Sequence, residues 1–169
     1  MLIVPTADFL KRVHDAVIQE RGEPGYITEG LVDGCVKRAV TYVYEYEPFP
    51  DIFDKAAALL YCIIVFHPFV DGNKRTALWG TAVMLMANGY LFETFPPDSV
   101  EFCKAIAESP EKEDIKKIAD WLRRHTKRTF RSRLTKFILA GLLYDVRFKR
   151  LRELEQVKMA RADFQLIED

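Results

Sequence analysis

The chain has 169 residues, 49% apolar and 30% charged, a balance that excludes a disordered segment and fits one domain with room for a terminal appendage. Its apolar runs fall well short of the ~18 residues of a membrane span, and "MLIVPTADFLKR" at the start is too short, and lacks a basic lead-in, for a secretory signal. The net charge of zero is unevenly spread: residues 126–169 carry 11 Lys and Arg against 6 Asp and Glu, so a basic tail follows an acidic body, an asymmetry suited to nucleic acid, a membrane surface or self-association.

Helical periodicity runs through most of the sequence. Thr6 is placed to cap a first helix on which Phe9, Leu10, Val13 and Val17 recur at helical spacing. "RGEPGY" (Arg21–Tyr26) breaks that helix with two glycines and a proline. A second helix is predicted over about Thr28–Tyr44. "EPFPD" (Glu47–Asp51) reads as a turn whose Asp51 caps a third helix, about Ile52–Phe66. That helix is apolar on most faces and is expected at the centre of the domain. Pro68 should end it at His67. After a loop, "PFVDG", a fourth helix starts near Asn73 and stops at Asn88-Gly89. A short extended piece, Tyr90–Thr94, precedes helices over about Asp98–Glu108 and Pro110–His125, the second introduced by Ser109-Pro110-Glu111.

The tail, about Thr129–Ile167, is also helical in pattern. Leu134, Phe137, Ile138, Leu142, Leu151, Leu154 and Val157 fall on one rough stripe without clean heptads. The expected architecture is therefore all-α: a domain of about six helices over residues 1–125 and a basic amphipathic helical extension over 126–169. The apolar stripe favours packing on the domain or pairing with a second copy through the C-terminal helix, ahead of nucleic acid, a membrane surface or a partner helix. Cys35, Cys62 and Cys103 are odd in number, far apart and flanked by apolar residues, which predicts buried free thiols in a cytoplasmic protein.

The chemistry concentrates in one place. "AAALLYCIIV" (Ala56–Val65) has no charge, yet "FHPFVDGNKRTAL" (Phe66–Leu78) follows it directly. A glycine before a helix start lets a ligand approach backbone N–H groups that have no helical partner. Asn73 can add an amide donor, and Lys74 and Arg75 add charge beside the same anion site. Asp71 makes sense there if a divalent cation such as Mg2+ bridges it to phosphates. His67, at the end of a rigid helix, is placed to take a proton from an incoming hydroxyl. Taken singly, such a histidine is ordinarily a packing residue, Asp-Gly a turn and Asn-Lys-Arg a solvated helix end. Their conjunction within nine residues points instead to phosphate transfer, in which positioning and charge stabilisation supply most of the catalysis. His14, His125, Trp79, Trp121 and the Met84–Met86 stretch are read as structural.

"HPFVDGNKRT" (His67–Thr76) resembles the Fic/Doc family signature, H-P-F-x-[DE]-G-N-[GK]-R. "VHDAVIQERGEPG" (Val13–Gly25), "DIFDKAAALLYCI" (Asp51–Ile63) and "TALWGTAVMLMANGY" (Thr76–Tyr90) resemble the flanking segments of its death-on-curing (Doc) branch. The resemblance covers about Pro5–His125 and leaves the tail without a counterpart. AMP-transferring members usually carry Gly after the Asn and a second Arg three residues after the first; here Lys74 and Leu78 stand there, as in the Doc branch.

The resemblance implies a nucleotide-dependent transferase of the Fic/Doc helical fold. It would be the toxin of a toxin–antitoxin pair, moving the γ-phosphoryl of ATP, with Mg2+, to a hydroxyl side chain of a target protein. By resemblance the target is a translation elongation factor. It makes His67 the general base, Asp71 the Mg2+ ligand and Gly72, Asn73 and Lys74 the anion nest. Arg75 becomes the residue that stabilises phosphate charge, and Phe69 the loop's anchor in the core. His67, Asn73 and Arg75 are the expected catalytic set. Fic proteins dock their target beside a flap, for which "YEYEPFPD" (Tyr44–Asp51) stands in the expected place. The self-inhibiting pattern [ST]-x-x-x-E-[GN] of many Fic proteins has no match, so inhibition is expected from another chain, an antitoxin. Protein adenylylation on the same site is the alternative, and an inactive nucleotide- or nucleic-acid-binding module the second.

Overall fold

The computed structural model describes residues 2–19, 22–28, 30–41, 47–92, 99–109, 114–128 and 164–167. Six helices carry these residues: α1 (Ala7–Ile18), α2 (Leu31–Val40), α3 (Ile52–Phe66), α4 (Asn73–Ala87), α5 (Ser99–Glu108) and α6 (Ile115–Arg124). Four short strands join them: β1 (Leu2–Pro5), β2 (Tyr90–Phe92), β3 (Thr126–Arg128) and β4 (Phe164–Ile167). The expected all-α fold stands, since the strands form two two-stranded pairs at its margin.

Helix α3 is the axis. Twelve of its fifteen residues are buried, and α2, α4, α5 and α6 all pack on it. Ala56, Ala57 and Ala58 are completely buried there, and their small side chains let neighbouring helices approach α3 closely. Its start is fixed by Asp51, whose carboxylate accepts from the N–H groups of Phe53 (2.7 Å) and Asp54 (3.0 Å). Thr6 caps α1 in the same way, accepting from Phe9 N at 3.3 Å. Both caps fall where the sequence placed them. Cys35, Cys62 and Cys103 are buried free thiols, also as expected.

Other boundaries differ. Helix α2 spans only Leu31–Val40, because Thr41 is extended (φ −73°, ψ 134°) and its hydroxyl turns back to the Lys37 carbonyl at 2.6 Å. Helix α6 begins at Ile115, with Asp114 rather than Ser109 as its cap. The tail corrects the sequence reading at both ends. Thr126–Arg128 is a strand paired antiparallel to β2, from Tyr90↔Arg128 to Phe92↔Thr126. Phe164–Ile167, expected to be helical, is a strand paired antiparallel to β1, from Leu2↔Ile167 to Pro5↔Phe164. Both ends of the expected extension are thus hydrogen-bonded to the body. The stripe from Leu134 to Val157, and with it any homodimer through that helix, lies outside the described residues. No described helix is long and apolar enough to cross a membrane.

Candidate active site at the α3–α4 junction

The site is the loop between the two central helices. His67 closes α3 in a left-handed conformation (φ 48°, ψ 59°), the one positive φ outside glycine among the described residues. An L-residue held there carries strain of about 1–3 kcal/mol, a cost that concentrates at functional sites. The turn leaves its side chain exposed and on the wall of a cavity. No described residue hydrogen-bonds the ring.

The next three residues form a one-bridge ribbon with 25–27. Ile27 N donates to Pro68 O (2.9 Å) and Val70 N to Gly25 O (3.1 Å), flanking an antiparallel Tyr26↔Phe69 bridge. The N–H and C=O of Phe69 point to the opposite edge, where the Asn73 side chain takes both. Asn73 Oδ1 accepts from Phe69 N at 3.0 Å and Nδ2 donates to Phe69 O at 2.7 Å. Phe69 itself is completely buried, its ring stacked on His14 at 3.9 Å and 5°.

Asp71 and Gly72 follow, pressed against α1. His14 Nε2 lies 3.0 Å from the Asp71 carbonyl. Asp71 Oδ1 accepts its neighbour's N–H, from Gly72, at 2.5 Å, and Oδ2 lies 3.5 Å from Arg75 Nη2. Gly72 (φ 77°) precedes α4 and gives it no side-chain cap. A Cβ on Gly72 would stand 2.7 Å from Ile18 Cγ2, so both its φ and its surroundings require glycine. Arg75 reaches the end of α1, with Nη1 donating to Val17 O at 2.7 Å.

Together these residues wall a cavity of about 340 Å³. On one side are His67, Val70, Asp71 and the start of α4 through Arg75; on the other are Leu78 and Ser99, Val100 and Cys103 of α5. Burial pushes the Cys103 thiol up to about 11, although nearby Lys74 pulls it the other way. The floor therefore offers an uncapped helix N-terminus, two cations and a single carboxylate, a chemistry suited to polyphosphate.

No group of three or more metal-ligating side chains exists among the described residues. Asp71, half exposed, fits the role of one protein ligand to a Mg2+ that takes its other ligands from phosphates and water. The residues singled out in the sequence, His67, Asp71, Gly72, Asn73, Lys74 and Arg75, all line this cavity. Asn73 is 5% exposed and its side-chain amide is committed to Phe69, so that amide holds the loop's shape rather than facing outward as a donor.

Sequence reasoning missed the α1 brace behind the loop and the α5 wall of the cavity. His14, Val17 and Ile18 share one helix face by their spacing, but spacing alone does not say what that face meets. The flap expected over Tyr44–Asp51 is described only from Glu47 onward. That part is a turn tied down by buried Lys55, which bonds Glu47 and, at 2.7 Å, the Phe49 carbonyl. Residues 44–46 of that flap lie outside the described residues; among the described ones, Gly25–Ile27 is an extended segment paired with the loop.

A profile of the Fic/DOC family matches residues 5–85. The "Protein kinase doc" of Escherichia phage P1 is 33% identical over 114 residues, 66% of this chain and 86% of that protein. The chain belongs to the Fic/DOC family. "Toxin Doc" of Mycolicibacterium smegmatis (strain ATCC 700084 / mc(2)155) is 45% identical over 60 residues, 36% of this chain and 46% of that protein; the chain thus spans just under half of that toxin's length. The Fic/DOC match takes in His14, the whole α3–α4 loop and most of α4, while the α5 wall of the cavity lies beyond it.

Proposed function

We propose that this Fic/DOC protein is a Doc-like toxin that transfers the γ-phosphoryl group of ATP to a hydroxyl side chain of a protein. The observation that carries the reading is the placement of the exposed His67 ring on the same cavity as the uncapped start of α4 with Lys74 and Arg75. The names of the two relatives, a toxin and a protein kinase, support it. So do Lys74 and Leu78, which line the cavity where AMP-transferring relatives carry Gly and Arg.

In this reading His67 accepts the proton of the substrate hydroxyl as its oxygen attacks the γ-phosphorus. The bond from that phosphorus to the β–γ bridging oxygen breaks, and ADP leaves. Backbone N–H groups at the start of α4, with Lys74 and Arg75, hold the phosphates and stabilise the charge that develops on them. Asp71 would hold a Mg2+, which when bound neutralises the phosphate oxygens. Arg75 stays fixed in place through the Val17 carbonyl.

The substrate class follows from the rim. Tyr26, Ile27, Phe66, Val70 and Val100 are the exposed large hydrophobic residues among those described, and all stand beside the loop or on the cavity wall. An apolar rim around a phosphate pocket suits a protein acceptor better than a small polar one. The bridge turns the N–H and C=O of Tyr26 away from Phe69, which leaves an edge for an extended substrate segment. We place the docking edge there rather than at Tyr44–Asp51. A translation elongation factor is the candidate target, and a separate antitoxin chain the candidate inhibitor.

The test is ATP labelled at the α or the γ phosphate, with Mg2+ and a translating cell extract. Label should enter a protein from the γ position alone and vanish with His67→Ala. Entry from the α position would make the enzyme an adenylyltransferase, and no His67-dependent label would sink the transferase reading.

A further inference from the structure

Behind the proposed site lies a buried polar side chain that the chemistry above does not use. His14 is 1% exposed, on α1, far in sequence from the loop it touches. Its ring is wedged flat against Phe69, at 3.9 Å and 5°. Its Nε2 lies 3.0 Å from the Asp71 carbonyl oxygen. A carbonyl only accepts, so Nε2 carries the hydrogen and donates it. Nδ1 faces Asp15 Oδ1 at a longer 3.4 Å, on a largely exposed carboxylate. The stack and the Nε2 bond therefore fix the ring.

The contact matters because of where it falls. It grips the backbone of the residue whose carboxylate stands at the cavity. That carboxylate has little else to orient it: Oδ1 is bonded to the adjacent Gly72 N–H, and Oδ2 is 3.5 Å from Arg75 Nη2. The surroundings leave the loop no slack. A Cβ on Gly22 would come within 2.8 Å of Asp71 Oδ2, and one on Gly72 would press on Ile18 Cγ2 at 2.7 Å, with His14 Cδ2 in ordinary contact at 3.6 Å. A small rotation of the Asp71 peptide would break the His14 bond and swing the carboxylate.

We propose that His14 is a positioning residue that sets the Asp71 carboxylate for a divalent cation by donating an Nε2 hydrogen bond to the Asp71 carbonyl. The inference rests on the phosphoryl-transfer reading of the site. Groups that orient a metal ligand from behind ordinarily change metal affinity by about 10–100-fold when removed. Phe69 is buried and stacked whatever residue 71 does, so the stack alone would give His14 a purely structural role. The two roles make different predictions for two substitutions. His14→Phe keeps the stack and loses the donor. His14→Gln loses the stack but places an amide N–H near the position of Nε2.

The experiment measures thermal midpoints of the full chain at fixed ATP while Mg2+ is titrated, with γ-label transfer followed in parallel. If His14 positions Asp71, His14→Phe will need at least about tenfold more Mg2+ for half of the ATP-dependent stabilisation. His14→Gln will restore a Mg2+ requirement near that of the unchanged protein, even if its metal-free midpoint is lower. Equal Mg2+ requirements for His14→Phe and the unchanged protein overturn the inference while leaving the transferase reading intact. No Mg2+-dependent response in the unchanged protein removes the transferase reading, and the inference with it.

A second measurement needs no variant and survives a failure of either to fold. The chain has three histidines, and ring nitrogen NMR should show a slowly exchanging Nε2–H on one of them that shifts when Mg2+ and ATP are added. A His14 ring protonated at Nδ1 alone overturns the inference.

Discussion

At the scale of single residues, conformation and chemistry conflict at His67. A side chain is needed at the cavity, but the backbone there favours glycine. The left-handed region costs an L-residue about 1–2 kcal/mol. His67→Gly is therefore expected to be more stable than His67→Ala by about 1 kcal/mol in urea unfolding, while both lose γ-label transfer. Equal stabilities would show that the loop does not hold residue 67 left-handed. Asn73 poses the opposite case, a polar residue whose work is internal. Asn73→Asp keeps an acceptor for Phe69 N but sets a carboxylate against the Phe69 carbonyl that now receives a bond at 2.7 Å. A loss of about 1–3 kcal/mol is expected, that of a buried carbonyl left unpaired. The thiols complete this scale. With burial raising Cys103 to about 11, it stays neutral well above pH 7, and the thiolate is the reactive form. Iodoacetamide at pH 7.5 should leave Cys35, Cys62 and Cys103 unmodified in the native chain and alkylate all of them in urea.

At the scale of elements, the loop is held by three helices, each with a different device. Helix α3 delivers His67 by ending, α4 starts without a side-chain cap at the cavity, and α1 braces the loop from the side through His14, Ile18 and the Val17 carbonyl. The turn before α3 depends on Lys55, a lysine only 1% exposed. Lys55→Met keeps the apolar stem but leaves the Phe49 carbonyl unpaired and Glu47 without its cation. The expected loss is again about 1–3 kcal/mol by urea unfolding, with γ-label transfer retained because the turn lies outside the cavity wall. The helix pattern of the sequence was enough to place α3 and α4, since Asp51, Pro68 and Gly89 are strong local signals that tertiary packing did not override. It was not enough for α2. Residues 41–44 are β-branched or aromatic, weak helix formers, and Thr41 satisfies its hydroxyl against Lys37 O and leaves the helix.

At the scale of the whole molecule, the two ends of the chain meet. Strand β1 is held along one edge by Asn88, which accepts from Ile3 N at 2.9 Å and donates to Ile3 O at 2.6 Å. Strand β4 lies along its other edge. The same Asn88 amide bonds Met84 O at 2.8 Å, so β1 is fastened to the end of the helix that begins at the site. Asn88→Ala and removal of residues 162–169 should each destabilise the chain. Because both act on one strand, the double variant should lose less than the sum of the two. Strict additivity in urea unfolding would show that β1 is not their common point. The acidic body and basic tail, net −5 and +5 by sequence, meet through backbone pairing at β1–β4 and β2–β3.

The helical class, the ends of the central helices and the group His67, Asp71, Gly72, Lys74 and Arg75 were legible in the sequence, because all of these follow from local rules or from one short contiguous motif. Contiguous residues across a helix–loop–helix turn are brought together whatever the rest of the chain does. Packing alone revealed that the Asn73 amide turns to Phe69, that His14 stands behind Asp71, that α5 walls the cavity and that β4 pairs with β1. Each of these is a contact between distant segments. Periodicity shows that such a face is apolar or polar, but the partner that completes its hydrogen bonds is chosen by packing around α3.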